Sequence, residues 1–222
     1  MKPTFLTVPR RARYFSLGPA GPEASEVWIV LHGYAQLAEN FLRWFRPLDN
    51  GKHWIVAPEA LSRFYLETTL KGSHGPVIGA TWLTREAREA DLEDHVGYLD
   101  RLVDHVRERS GSIPLTVLGF SQGAAMAARW IARRPVPVSR VVLWGTPLPP
   151  DVDPAELGRR LRGLPVWLVA GERDAYASPE AVEAAAAGLA TGGARVTVHR
   201  HPGGHRVEPE PLLAIREAIS PA

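Results

Sequence analysis

Cysteine is absent from this chain of 222 residues. Its absence excludes disulfides, a thiolate nucleophile and cysteine-ligated zinc. Lysine is nearly absent too: Lys2, Lys52 and Lys71 are the only ones, so arginine carries almost all the positive charge. The formal net charge is only +2, and the pI of 9.1 follows from that small imbalance. Two arginine-rich stretches occur, Arg10, Arg11 and Arg13, then Arg159, Arg160 and Arg162. Neither is a basic block of the kind that tracks a phosphate backbone, so both read as solvated faces, and nucleic acid is not an expected partner. Long apolar runs are also missing. No stretch approaches the roughly 20 residues that cross a bilayer, and the opening MKPTFLTVPRRARYF has neither a long apolar run nor an A-x-A cleavage site. A soluble, cytoplasmic protein is the expectation.

What is present is a regular alternation. The chain is 45% hydrophobic and long enough to bury one good core, so a single domain spanning 1–222 is expected. Continuous apolar runs at 27–31, 54–57, 115–118, 140–144 and 166–170, with a further strand at 195–200, read as strands buried on both faces. Between them, helical spacing of apolar residues predicts helices over about 38–45, 85–109, 121–134, 179–189 and 210–219. Ser178 and Pro179 form a start signal for the fourth of these. The pattern β-α-β-α calls for a parallel sheet with helices on both faces. Segments 4–8 and 12–17 are expected to add an antiparallel hairpin at one edge, and 59–80, rich in glycine and serine, reads as a long irregular loop.

In open α/β sheets, ligands gather at the carboxyl ends of the strands. Ser121, in GFSQG, follows one strand; Asp174, in AGERDAY, follows the next but one; His205, in HPGGH, follows the last. That order, Ser-Asp-His, is the one used by serine nucleophiles set on a strand-to-helix elbow. Glycines two residues either side of Ser121 leave room for the sharp turn, and the helix start behind it favours developing negative charge. A serine hydroxyl needs a base, for which His205 is the candidate and His201 the rival. The orienting carboxylate is Asp174, with Glu172, Asp151 and Asp153 as competitors. An oxyanion hole needs two amides: that of Gln122, after the serine, and that of Tyr34, in the loop that follows the 27–31 strand. His32, beside it, reads as structural. Phe64, Tyr65 and Trp82, together with Tyr34, are candidates for an apolar pocket wall.

Taken together, LHGY, APE, GFSQGAAMA, WGTPLP, AGERDAY and GGH resemble the phospholipase/carboxylesterase family of α/β-hydrolases, which includes bacterial carboxylesterases and acyl-protein thioesterases. The resemblance extends from about Val27 to the end. It implies an α/β-hydrolase fold with a mostly parallel central sheet and no large cap domain. It implies Ser121, Asp174 and His205 as a catalytic triad, with Tyr34 and Gln122 supplying the oxyanion amides. The chain departs from the family at HGYAQ (32–36), where HGLGD is frequent, and in the segments 62–67 and 79–86. The implied activity is hydrolysis of short-to-medium acyl esters through an acyl-enzyme, with a small-molecule substrate and no metal or other cofactor. A thioesterase, lysophospholipase or perhydrolase would use the same residues. A non-catalytic binding protein of this fold usually lacks a triad member, and none is lacking here.

Overall fold

In the structure, a computed structural model that describes residues 2–66 and 77–218, the central element is a seven-stranded sheet. Its strands are β1 (Tyr14–Leu17), β2 (Glu26–Leu31), β3 (His53–Pro58), then, after a separate hairpin of β4 (Ser62–Leu66) and β5 (Val77–Thr81), β6 (Leu115–Phe120), β7 (Arg140–Trp144), β8 (Pro165–Gly171) and β9 (Arg195–His201). The spatial order is β1-β3-β2-β6-β7-β8-β9. All neighbours run parallel except β1, which is antiparallel to β3. The chain moves from β2 outward to β3 and later returns to the other side of β2 with β6. The direction of winding therefore reverses between β2 and β6, the place where such sheets open a crevice.

Continuous apolarity has its expected cause. Every residue of β2 is buried, and successive side chains enter different cores. Val27, Ile29 and Leu31 pack with Leu92, Val96 and Leu99 of α2 (Arg88–Ser110) and with Ala124 and Ala127 of α3 (Gln122–Arg133). Trp28 and Val30 pack on the other face with Phe41 of α1 (Ala38–Leu42), Phe45 and Leu48 of the 3-10 turn Arg43–Leu48, and Leu212 and Ile215 of a C-terminal helix, Pro209–Glu217. Each such fully buried aliphatic or aromatic side chain contributes roughly 1.5–3 kcal/mol. The first core also takes in α4 (Pro154–Arg160) through Leu157 and α5 (Pro179–Gly192) through Val182 and Leu189; the C-terminal helix is α6.

The alternation reads correctly, and the edges do not. Residues 4–8 form no strand; they lie between Pro3 and Pro9, and Phe5, Leu6 and Val8 stay exposed. The hairpin expected there is replaced by β1 alone, which finds its ladder on β3, with Tyr14 opposite Pro58 and Leu17 opposite Ile55. The expected loop at 59–80 contains an antiparallel hairpin, Ser62 opposite Thr81 and Leu66 opposite Val77; residues 67–76 lie outside the described part. Two mutual bonds tie that hairpin to the loop after β2: Ala35 N–H donates to Ala80 O (2.9 Å) and Ala80 N–H to Gln36 O (3.2 Å). Helix α4 was not anticipated, although Asp153 caps it by accepting from Ala155 N–H at 2.9 Å and Pro154 sits at its first position. At α5 the anticipated start is found, with Ser178 accepting from Ala181 N–H.

Candidate active site

Ser121 stands between β6 and α3 with φ 53° and ψ −119°. A positive φ costs a non-glycine residue on the order of 1–3 kcal/mol, so the surroundings must hold it. They do so from both sides: Ser121 N–H donates to Trp144 O (2.8 Å), and its carbonyl accepts from Ala124 N–H (2.9 Å). The flanking glycines are required sterically. A Cβ on Gly119 would lie 2.4 Å from Ala124 Cα, and one on Gly123 only 2.1 Å from Leu31 O. The second figure also shows that the start of α3 is pressed against the loop after β2.

The elbow lifts the hydroxyl to a histidine. Ser121 Oγ is 2.9 Å from His205 Nε2, and His205 Nδ1 is 2.9 and 3.0 Å from the two oxygens of Asp174. The Asp174 side chain is 1% exposed, that of His205 25%. With Nδ1–H donating to the carboxylate, Nε2 is left to accept the serine proton. Asp174 Oδ1 further accepts from Tyr176 N–H (2.9 Å), which fixes the carboxylate in its loop.

The competitors are occupied elsewhere. His201 is buried at the end of β9, accepts from Gly203 N–H (3.2 Å) and packs against Trp144; burial lowers its pKa. It shapes the turn that carries His205. Asp151 pairs with Arg129 (2.7 and 2.8 Å) and Arg88 (3.0 Å), and the Arg129 hydrogen bond holds its carboxyl well below the usual range. Asp153 caps α4. Glu172 is exposed, and its N–H bonds His201 O.

Around this line stand groups to which the sequence reading gave no role. Phe120 and Tyr176 both pack against the His205 ring at a tilt, with centroids 4.8 and 4.6 Å away. Both lie in the quoted motifs, GFSQG and AGERDAY, so proximity in sequence to the serine and the aspartate was the available signal. The Gln122 side chain is clamped: Oε1 accepts from Trp82 N–H (3.0 Å), and Nε2 donates to Leu83 O (2.7 Å). Among the described residues, the backbone N–H groups of Gln122 and Tyr34 have no hydrogen-bond acceptor.

The loop after β2 rests on buried, uncharged histidine. His32 is fully buried, donates from Nδ1 to Gly33 O (2.7 Å) and accepts at Nε2 from Ala60 N–H (3.0 Å); burial pushes its pKa down to about 4. His95 of α2 repeats the pattern, donating to Asp91 O (2.7 Å) and accepting from Leu61 N–H (3.0 Å), with burial again pushing its pKa down to about 4. Trp82 packs against both rings, at 5.1 and 5.2 Å, and donates to His32 O (2.8 Å). Its exposure is 0%, so Trp82 is a core residue supporting the loops, and its expected place in an open pocket wall is corrected. Phe64 packs at a tilt against Tyr34 with centroids 5.4 Å apart, whereas Tyr65, its neighbour on β4, points to the opposite face and is 70% exposed.

Among the described residues, no group of three or more His, Asp or Glu is arranged to hold a metal ion. No described helix is long and apolar enough to cross a membrane.

Comparison with curated proteins gives no match to this sequence. Among solved structures, a carboxylesterase from Mesorhizobium loti is similar at 21% identity, TM-score 0.71, over 95% of each chain. A Bacillus cereus carboxylesterase is similar at 18% identity, TM-score 0.69, over 93% of this chain and 92% of that one. Acyl-protein thioesterase 2 of Zea mays is similar at 20% identity, TM-score 0.69, over 94% of this chain and 98% of the other. The model of the alpha/beta hydrolase fold matches residues 10–191. With that match covering most of the sheet and the elbow itself, the chain belongs to the alpha/beta hydrolase fold family.

Proposed function

We propose that this protein is a serine carboxylesterase that hydrolyses short-to-medium acyl esters through an acyl-enzyme on Ser121. The observation that carries the reading is the unbroken hydrogen-bonded line from Ser121 Oγ through His205 to the buried Asp174 carboxylate. Ser121 Oγ attacks the ester carbonyl carbon as its proton passes to His205 Nε2, and the carbonyl electron pair moves onto oxygen. The free N–H groups of Gln122 and Tyr34 receive that oxyanion, each such donor being worth about 10²–10³ in rate. Asp174 stays ionised and stabilises the imidazolium without taking its proton. The tetrahedral species collapses, the C–O bond to the alcohol breaks, and the alcohol leaves with the proton from Nε2. Water then attacks the acyl carbon, again giving its proton to His205, and the acid departs while Ser121 regains its hydrogen.

A thioester would be attacked by the same atoms. The carboxylesterases among the similar structures favour the oxyester, and the reading includes action in the cytoplasm, where a cysteine-free chain is indifferent to a reducing environment. The test is p-nitrophenyl butyrate hydrolysis alongside fluorophosphonate labelling, with Ser121→Ala as the paired variant. The reading requires turnover and a single label in the parent protein and neither in the variant. Wild-type turnover by Ser121→Ala refutes it, and a butyryl thioester consumed much faster than the matched oxyester replaces it with the thioesterase.

A further inference from the structure

Of the stretches that carry the family resemblance, WGTPLP supplies none of the groups in the reaction proposed above. Its second residue, Gly145, directly follows β7 and has φ 72°. The peptide between Trp144 and Gly145 is fixed from both sides. Its C=O accepts from Ser121 N–H (2.8 Å), and its N–H donates to Val169 O of β8 (2.8 Å). One peptide thus joins the serine turn to the strand that leads to Asp174. The Cα that follows borders the other two members of the reacting line. A Cβ on Gly145 would lie 3.2 Å from His205 Cε1, 3.3 Å from Asp174 Oδ2 and 3.1 Å from Phe120 Cε2.

All three distances are shorter than ordinary van der Waals contact, so a side chain here forces a neighbour to move by a few tenths of an ångström. Two of the three neighbours are held. Asp174 is buried, and its carboxylate accepts from Tyr176 N–H. Phe120 is 3% exposed and packs against Phe41 (6.2 Å) and Trp44 (5.8 Å). The other edge of its ring lies close to Gly33, where an added Cβ would stand 3.1 Å from Phe120 Cδ1. The ring therefore fills the gap between the loop after β2 and the end of β7. His205, with a side chain 25% exposed, is the neighbour with room to give.

We propose that Gly145 is a positioning residue for the His205 base. The inference rests on the esterase reading above, which gives His205 its task. A hydrogen in place of a side chain lets the Cε1 edge of the imidazole settle against the end of β7, with Nε2 2.9 Å from Ser121 Oγ. A Cβ there displaces the ring while Asp174 and the serine turn stay in place. The loss then falls on proton transfer rather than on substrate binding, since misplacing a reacting group by about 1 Å can cost about 10²-fold.

The experiment replaces Gly145 with Ala and with Asn, and measures kcat and KM for p-nitrophenyl butyrate beside the urea midpoint. Alanine suffers from the positive φ and from crowding alike; asparagine accepts a positive φ better but carries the same Cβ. Both variants lose about 10- to 100-fold in kcat, with KM within about threefold of the parent. Gly145→Asn gains no kcat over Gly145→Ala even where it is the more stable. In a Phe120→Leu background, which opens room beside the imidazole, the loss from Gly145→Ala shrinks to about threefold or less. A parental kcat in Gly145→Ala, a kcat that recovers in Gly145→Asn as stability does, or a loss of the same size in the Phe120→Leu background overturns the proposal. If Gly145→Ala does not fold, Gly145→Asn and the double variant carry the same comparison. Turnover by the parent protein tests the esterase reading on its own. Should the parent cleave no ester, the crystal structure of Gly145→Ala still decides: His205 Nε2 displaced beyond about 3.2 Å from Ser121 Oγ supports the positioning role, and an unchanged 2.9 Å rejects it.

Discussion

Lowering the pH from 7 to 4.5 removes stability from this protein through two buried histidines. His32 and His95 both titrate near 4 in the fold because burial penalises their charged form, whereas an exposed histidine titrates near 6.5. Between those values the unfolded chain binds two protons that the folded chain refuses, so stability falls as the pH falls. It is complete above about 6.5 and declines toward 4. One pKa unit corresponds to about 1.36 kcal/mol. Each histidine therefore costs on the order of 2–3 kcal/mol between pH 7 and 4.5, and the pair roughly 5 kcal/mol, a large share of the roughly 5–15 kcal/mol that holds a domain together.

The contacts give this cost a mechanism. Each Nε2 accepts a backbone N–H, from Ala60 and from Leu61. A proton on Nε2 would set donor against donor in a buried place, leaving both groups unsatisfied. His201, whose pKa burial also lowers, adds to the effect in the same direction. The carboxylates act elsewhere on the scale. Burial opposes the charge on Glu59, but bonds to Arg13 and Arg63 overcome it and hold its carboxyl low, so its contribution persists above the ordinary carboxylate range and is lost at lower pH. Urea unfolding followed by tryptophan fluorescence at pH 7.5, 6.5, 5.5 and 4.5 measures the slope. His95→Gln, whose amide oxygen can accept from Leu61 N–H, should remove about half of it. A stability that is level from pH 7 to 4.5, or a slope that His95→Gln leaves intact, refutes the reasoning.

Three further outcomes are expected. Asp174→Asn should lower kcat about 10⁴-fold, since the amide supports the wrong tautomer of His205, while circular dichroism stays that of the parent; a tenfold loss or less would count against the orienting role. Gly123→Ala forces a methyl to within 2.1 Å of Leu31 O, and should cost at least about 1–3 kcal/mol in urea unfolding together with most of the activity; parental stability and turnover would show that the elbow has slack. Gln122→Ala leaves Trp82 N–H without its acceptor and takes one of two side-chain donors from Leu83 O, the Thr81 hydroxyl remaining, which should destabilise by about 1–3 kcal/mol and depress kcat more than it raises KM. An effect confined to KM would contradict a part in placing the oxyanion amide.

The sheet was legible because parallel strands buried on both faces leave an unmistakable record: six consecutive buried positions in β2, β3 and β6. The placement of Ser121, Asp174 and His205 was legible for a related reason, each following a strand in chain order. What was not legible depends on pairing across long sequence separations. The β4–β5 hairpin looked like a loop because Gly72, Gly75 and Gly79 broke the pattern and its partner for the Ala35–Gln36 turn lies 44 residues on, at Ala80. Trp82 was assigned to a pocket from its neighbourhood in sequence. Its two histidine neighbours, at 32 and 95, come from other elements, and only the fold brings them against its ring.

That cluster ties the loops around the site together through neutral groups. The loop after β2, the turn after β3, the end of β5 and the start of α3 meet at His32, Trp82, His95 and Gln122. Trp82 gives its ring N–H to His32 O and its backbone N–H to Gln122 Oε1, so one residue joins the proposed oxyanion loop to the proposed nucleophile turn. Both histidines spend both ring nitrogens on backbone groups. A neutral imidazole, one donor and one acceptor, can satisfy an N–H and a carbonyl at once; an ion in the same place would need a counter-charge and its own desolvation. The arrangement fixes two loops to each other at low electrostatic cost while the protein is neutral. It also follows that acid attacks the support before it attacks the sheet: the strand ladders carry no titratable bonds, and the supports under Ala60 and Leu61 do.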